Sequence, residues 1–278
     1  MATIVEMINP LTGLPEQVDK LDHTAQEIDD AVTRAFKVSA RNFLRNWYFV
    51  NPVNQRGVSG TISTTGYFID GWKLVSGTVQ ITSTGLVLNG TIEQILESGI
   101  GQLVKATFLA SDGVFDASYN DSTKTFTITA TGKTLIAAKL ELGSQQTLAH
   151  QDADGNWVLN EIPDYGEQLA RCQRYRTERE KATGYVSYSS GGAVVISPMA
   201  GCSFPTTMRS NPSCAIFAAD VAKTANKVSY YSNFESLADG TVASVSANDN
   251  GIYSIGLQNS SIQVGTIVEF CYVATAEL

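Results

Sequence analysis

Catalysis by proton transfer or nucleophilic attack needs a base held at a fixed position, and this chain of 278 residues contains only two histidines, His23 and His150. A Ser-His-Asp triad would place its histidine in a β core or at a strand end. His23 falls in a stretch with helical spacing and His150 in a polar stretch, so neither is well placed. No Gly-x-Ser-x-Gly elbow, His-Glu-x-x-His pair, phosphate-binding loop or dinucleotide fingerprint occurs. Asp70, Glu93, Glu97, Asp112 and Asp116 could supply two carboxylates for glycan cleavage, where a retaining pair stands about 5 Å apart. Nothing in their spacing singles out a pair. The expectation is a protein that is not an enzyme and has no catalytic residues.

Metal and thiol chemistry are equally thin. The four cysteines, Cys172, Cys202, Cys214 and Cys271, include no C-x-x-C pair, and with two histidines they make a zinc site improbable. Cys202 and Cys214 could bridge, but buried free thiols fit a chain assembled in a reducing cytosol better. Asp152-x-Asp154-Gly155 matches part of a calcium loop and lacks the remaining ligands, so it reads as a polar turn. No metal and no cofactor are expected.

The residues that remain suit binding. Aromatic faces stack on pyranose rings, and amides, carboxylates and guanidiniums hydrogen-bond the hydroxyls. Tyr185, Tyr188, Tyr230, Tyr231, Asn233, Phe234 and Tyr253 cluster near loop-forming residues. Six of them, Tyr185, Tyr188, Tyr230, Tyr231, Asn233 and Tyr253, are the candidate ligand-binding residues. Neighbouring strand residues point to opposite faces, so at most one of Tyr230 and Tyr231 faces a core. Trp47, Tyr48, Tyr67 and Trp72 form an earlier aromatic group. Trp47 and Trp72 sit in apolar runs, and core or inter-domain packing suits them better than an exposed role.

The elements that would position these residues fall into three regions. Residues 1–40 form an N-terminal segment for oligomerisation or attachment, helical to about Lys37. Leu14, Val18, Leu21, Ala25, Ile28, Val32 and Ala35 are spaced four and three apart, a heptad pattern. Thr24-Ala25-Gln26-Glu27 also reads as a capping box that would start a fresh helix at Ala25. Such a short helix is marginal alone. It either bundles with copies of itself as a coiled coil, which we prefer, or lies on its own domain.

Residues 41–160 alternate as strands. Val104, Ala106, Phe108 and Ala110 alternate with Leu103, Lys105, Thr107 and Leu109, and Phe126 and Ile128 alternate with threonines. Ile136, Ala138, Leu140 and Leu142 alternate with Ala137, Lys139 and Glu141. Asn89-Gly90, Ser98-Gly99, Asp112-Gly113 and Thr131-Gly132 read as turns. The pattern predicts an antiparallel sandwich. Residues 161–181 form a helical connector, with a short helix over Asp164–Arg174. Residues 182–278 form a second β domain. Its last strand has two largely apolar faces, so a neighbouring subunit is one way to cover both. Asp239-Gly240 and Asn250-Gly251 mark hairpins. The fold class is mainly β.

Composition narrows the partners. Apolar residues make up 43%, enough for a core, while charged residues are only 17% and the net charge is −8. That balance speaks against nucleic acid, whose phosphates attract basic patches. Arg171, Arg174, Arg176, Arg179 and Lys181 come nearest to a patch, but Glu167, Glu178 and Glu180 interleave with them, which predicts a solvated helix face. No run of eighteen apolar residues exists, so no membrane span is expected. Met1 to Pro10 lacks the pattern of a secretory signal, so export with a lysing virus particle is one route out of the cell.

Asn46-Trp47-Tyr48-Phe49-Val50-Asn51-Pro52-Val53-Asn54-Gln55-Arg56-Gly57 with Gly66-Tyr67-Phe68-Ile69-Asp70-Gly71-Trp72 resembles the opening of a carbohydrate-binding-module-like jelly roll found in bacteriophage and prophage tail fibres. Ile162 to Tyr175 resembles the connector that follows this module. The Pro205 to Pro212 stretch and the terminal Tyr272 to Leu278 are similar to the fibre's C-terminal head domain. The order of these motifs, across most of the chain, is what makes the resemblance specific. It implies a homotrimeric receptor-binding tail fibre, made in the bacterial cytoplasm and carried on the virion. Its partners would be other tail or baseplate proteins and a bacterial surface polysaccharide or protein receptor, with avidity from three copies. The alternatives are a tail-associated glycan depolymerase and a purely structural virion or baseplate protein.

Overall fold

The computed structural model describes residues 5–8, 15–18, 40–230 and 233–278, with side chains for 40–230 and 237–278. The chain divides into Met1–Ala40 and Arg41–Leu278.

In the first unit, β1 (Val5–Ile8) and β2 (Pro15–Val18) pair antiparallel, with Val5 opposite Val18 and Ile8 opposite Pro15. The predicted helix therefore fails over Pro15–Val18, and Val18 lies in a strand rather than at a coiled-coil seam. Proline is tolerated at the first position of a strand, and Pro15 stands there. The other heptad positions, the capping box and His23 lie outside the described residues.

The second unit is mainly β, as the alternation predicts. Its first eight-stranded antiparallel sheet contains β3 (Thr61–Ile62), β4 (Gly66–Ile69), β5 (Trp72–Thr82), β6 (Gly85–Ile95), β7 (Val104–Ala110), β8 (Gly113–Asp116), β9 (Ser118–Asn120) and β10 (Thr125–Leu142). The order is β3-β5-β6-β10-β7-β8, with β4 on β5 and β9 on β10. The long β10 changes partners along its length. Thr125–Leu135 pairs with β6, and Leu135–Leu142 pairs with β7. Where β6 ends, the Phe43 and Phe49 amides bond to the Leu140 and Ile136 carbonyls instead.

Phe126 and Ile128 point inward as the alternation requires, into a core with Trp72, Phe49, Leu74 and Leu88. Trp72 meets Phe49 edge-on at 5.1 Å and Phe126 at 6.0 Å between ring centroids. Its indole N–H donates to the Asn46 carbonyl at 2.9 Å, which satisfies the one polar atom that the ring buries.

Two expected turns are not turns. Asn89-Gly90 lies inside β6, where Gly90 faces Gly77 of β5, and Thr131-Gly132 forms a bulge inside β10. Both dipeptides carry the glycine freedom that marks turns, here used for close strand approach and curvature. Beyond the bulge β10 departs from alternation, because Lys139 and Glu141 are buried as well as Ala138 and Leu140. Thr147, in the segment after β10, covers that second face.

A small hairpin of β11 (Ala149–Gln151) and β12 (Trp157–Leu159) follows. The Asp152 carboxylate accepts from the Asp154 and Asn156 amides at 3.0 and 2.8 Å, so this segment is a polar turn closed on itself. Helix α1 (Tyr165–Gln173) starts at Asp164, whose carboxylate caps the Glu167 amide at 2.8 Å.

The second eight-stranded antiparallel sheet contains β13 (Arg176–Ser190), β14 (Ala193–Ala200), β15 (Ser213–Ala218), β16 (Ser229–Tyr230), β17 (Asn233–Leu237), β18 (Thr241–Asn248), β19 (Gly251–Gln258) and β20 (Ile267–Thr275). The order is β17-β16-β20-β13-β14-β19-β18, with β15 on β20. The sheet curls until β15 approaches β18, nearly closing a barrel. Val186, Val194, Ile196, Ile255, Val268, Phe270 and Tyr272 fill its interior. The expected helical connector is corrected here. Its residues from Arg176 onward belong to β13, paired with β20 from the Arg176–Thr275 pair.

The last strand also departs from expectation. Glu269 and Cys271, on the face opposite Phe270, are 1% and 6% exposed within a single chain. The Cys271 thiol donates to the Glu180 carbonyl at 2.8 Å, and Lys181 stands 3.0 Å from Glu269. Burial of both faces at these two positions does not require a neighbouring subunit.

Candidate functional site

The nearly closed second sheet turns its apolar side chains inward and leaves an outward face on β13, β14, β19 and β18. Register fixes what stands there. Tyr185 lies opposite Ser197 on one side and Ile267 on the other. A bulge after Val186 brings Tyr188 opposite Val195, so both tyrosines project from the same face. They are 42% and 53% exposed. Ser197 donates to Ser187 at 2.9 Å, and Ser187 donates to the Val195 carbonyl at 3.2 Å. Across the neighbouring strands Ser244 pairs with Gly256 and Ser246 with Ser254.

Between β14 and β18 the sheet carries a glycine where β19 faces Ser244. A Cβ at Gly256 would stand 2.5 Å from the Ser244 hydroxyl, so glycine there lets the serine lie flat on the sheet. The result is a hydroxyl-lined face with Tyr185 and Tyr188 exposed on β13. Such a face can stack a sugar ring and exchange hydrogen bonds with its hydroxyls.

The structure does not bring all six candidates together. Tyr253 is 61% exposed and occupies a bulge on β19, two strands from β13. Tyr230 lies opposite Val268, partly buried against the barrel interior, while Ser229 takes the other face opposite Glu269. Tyr231 lies outside the described residues, and so does the side chain of Asn233, whose backbone belongs to β17.

The earlier aromatics are structural. Trp47 and Trp72 are 4% and 0% exposed. The Tyr67 hydroxyl donates to the Leu278 carbonyl at 2.6 Å beneath the Arg56 guanidinium. Burial, then the nearby Glu277 carboxylate, raises its pKa.

Each of the five carboxylates considered for hydrolysis is already engaged. Glu93 pairs with Lys73 at 3.1 Å, Asp116 with Lys105 at 2.7 Å and Asp112 with Lys133 at 2.5 Å. Asp70 accepts from the Gln55 amide at 2.6 Å and from its side chain at 3.0 Å, while burial pushes its carboxyl up. Burial would raise Glu97 too, but hydrogen bonds from Tyr175 at 2.7 Å and Arg174 at 3.2 Å outweigh it and hold the carboxyl below its usual range. His150 is hydrogen-bonded to Asn160 in the β11–β12 hairpin.

The basic run also needs correction. Arg174, Arg179 and Lys181 are solvated, but Arg171 is partly buried and Arg176 belongs to β13 rather than to a helix face. Arg171 and Arg174 lie against the first sheet's edge, with Arg171 3.5 Å from the Asn42 and Phe43 carbonyls. The Arg176 carbonyl accepts from Gln55 at 2.8 Å. Gln168 of α1 accepts from the Asn46 amide at 2.8 Å. Charge interleaving along a helix carries no signal for such packing. The Asn46 to Trp72 and Ile162 to Tyr175 stretches contain residues that join the two sheets.

No protein-family model matches the chain, no curated protein matches it, and no solved structure matches it.

Proposed function

We propose that this chain is a receptor-binding protein of the tail-fibre kind, which holds a bacterial surface glycan on the outward face of its second sheet. The observation that carries the proposal is the pair Tyr185 and Tyr188, both exposed beside a flat row of serine hydroxyls. A soluble enzyme gains little from an open aromatic and hydroxyl plane. A fibre gains weak contacts that three copies multiply by effective concentration. In this reading the chain is a homotrimer on the virion, its first sheet is the jelly-roll module and the other tail proteins hold its N-terminal part. Its role is attachment without turnover. The resemblance of the Asn46 to Trp72 and Ile162 to Tyr175 stretches to tail-fibre modules supports the same reading.

The test is competition for adsorption. Purified full-length protein should block attachment of the particle that carries it, and a Tyr185→Ala/Tyr188→Ala double variant with an unchanged melting curve should not. Blocking that survives the double variant would remove this face from the receptor site. Failure of the intact protein to block would favour a structural virion role, and release of reducing sugar from host polysaccharide would favour a depolymerase.

A further inference from the structure

A second feature lies away from the tyrosine face, between the edge of the first sheet and the start of β13. It is a cleft of about 420 Å³ whose lining includes Arg41, Arg45, Arg171, Arg174, Tyr175 and Glu97. Four guanidiniums thus face one carboxylate, in a chain whose net charge is −8. Like charges collected without counter-ions cost free energy, more so where they are desolvated.

Among the described residues, only Arg174 of the four forms an ion pair. Glu97 is taken by Arg174 and Tyr175. Arg41 is exposed, lies 5.8 Å over the Phe43 ring and has no carboxylate partner among the described residues. Among the described residues Arg171 reaches two carbonyls, both at 3.5 Å. Arg45 is 4% exposed and gives Nη1 to the Ile95 carbonyl at 3.0 Å, while its Nε and Nη2 have no acceptor among the described residues. Its guanidinium is stacked 3.7 Å from the Tyr175 ring centroid and supplies charge from the floor. Burial depresses the pKa of Arg171, and Arg41 and Arg45 add to this against the pull of Glu167. One wall, the loop after Glu97, is fixed from behind, since Asp121 accepts the Ile100 and Gly101 amides at 2.6 and 3.1 Å.

We propose that this cleft binds an oxyanion carried on a small ligand, with Arg41 and Arg171 as the direct donors and Arg45 as the buried counter-charge. Guanidinium pairs carboxylate and phosphate through parallel hydrogen bonds, so an acidic sugar or a phosphate ester presents the same group. The volume suits a ligand of monosaccharide size. The site stands whether or not the tyrosine face binds a receptor.

The experiment is a nuclear magnetic resonance titration of the full-length protein with inorganic phosphate, glucuronate and neutral glucose, followed at the amides of residues 98–102. Phosphate or glucuronate should give saturable shifts that weaken with added salt, and glucose should give none. Response to phosphate alone assigns a phosphate ester, and response to glucuronate alone assigns a carboxylated sugar. Arg41→Gln and Arg171→Gln should each weaken the dissociation constant about tenfold. Arg41 is exposed, so its variant reports even where Arg171→Gln perturbs packing. No saturable shift with either anion, equal shifts with glucose, or an unchanged constant in Arg41→Gln would overturn the proposal.

Discussion

Arg45 lies face-on over Tyr175, its guanidinium carbon 3.7 Å from the ring centroid, and this stack joins the first sheet to the residue that precedes β13. Both partners are almost fully buried, so the contact is desolvated, where a cation–ring pair is strongest. The Tyr175 hydroxyl extends the junction to Glu97 at 2.7 Å. Tyr175→Phe keeps the stack and loses the hydrogen bond, so it should cost about 1 kcal/mol. Tyr175→Ala opens a void beneath a buried charge and should cost about 3–5 kcal/mol. Urea unfolding of both variants measures the difference. Equal losses would mean that the stack contributes nothing.

The same junction predicts an alkaline limit to stability. Burial, assisted by the Glu97 carboxylate, pushes Tyr175 up to about 12 from 10.0, and burial does the same to Tyr272. Groups whose folded pKa is raised contribute stability that is fully present below the unfolded value and lost as pH rises through the folded one. Stability should therefore decline between pH 10.0 and about 12. In Tyr175→Phe one titrating group is gone, so the decline should be shallower. Denaturant midpoints across that range test this, and an identical slope in the variant contradicts it.

Thiol reactivity follows from the same physics. All four cysteines are free. Burial raises Cys172 to about 12 and Cys214 to about 11, and it raises Cys202 and Cys271 as well. The thiolate is the reactive form. Native protein at neutral pH should react slowly with a disulfide reagent, beginning at the partly buried Cys214, and all four thiols should titrate after unfolding. Rapid labelling of Cys172 in the native state would show that the packing around it opens.

Gly77 and Gly90 face each other across β5 and β6. A Cβ on Gly90 would stand 2.0 Å from the Ser76 carbonyl oxygen, and one on Gly77 would stand 2.0 Å from the Asn89 carbonyl oxygen. Both have positive φ, +151° and +80°. Gly90→Ala must part the strands and should cost about 3 kcal/mol or more. At Gly57 φ is also positive, but nothing lies within 4 Å, so Gly57→Ala should cost only about 1 kcal/mol. Thermal melts of the pair separate steric closure from backbone strain.

These cases also mark how far the sequence was legible. Phe126 and Ile128 were readable because one face of their strand meets the core and the other stays polar. Asn89-Gly90 reads as a turn in the sequence because a turn and a close strand crossing ask for the same glycine. The exposed Tyr185 and Tyr188 emerged from residue type alone, but their shared face depends on a bulge at Ser187 that no pattern announces. Which of Tyr230 and Tyr231 faces the core stayed open in the sequence because Tyr230 takes its face by pairing with Val268, a partner nearly forty residues away. The arginine cleft was invisible because its members come from Arg41, Arg45 and the α1 end, far apart in sequence, and alternating charge in one segment does not report what packs on it.

Lys139 and Glu141 show the same limit at higher cost, since a charged pair on alternating positions of β10 suggests a solvated face and is instead sealed. Their side chains are 3% and 0% exposed, and they stand 3.5 Å apart. Thr147 binds both: its amide donates to Glu141 at 2.6 Å, its hydroxyl donates to the same carboxylate, and Lys139 donates to that hydroxyl at 2.8 Å. Burial lowers the Lys139 pKa against the pull of Glu141. Removing one charge strands the other in a medium that cannot solvate it, so Lys139→Met should cost about 3–5 kcal/mol. Lys139→Met/Glu141→Gln removes the stranded charge, and its amide oxygen can still accept from Thr147. The double variant should therefore unfold at higher urea than Lys139→Met. A double variant no more stable than the single one would mean that water reaches the pair and that Thr147 does not seal this face.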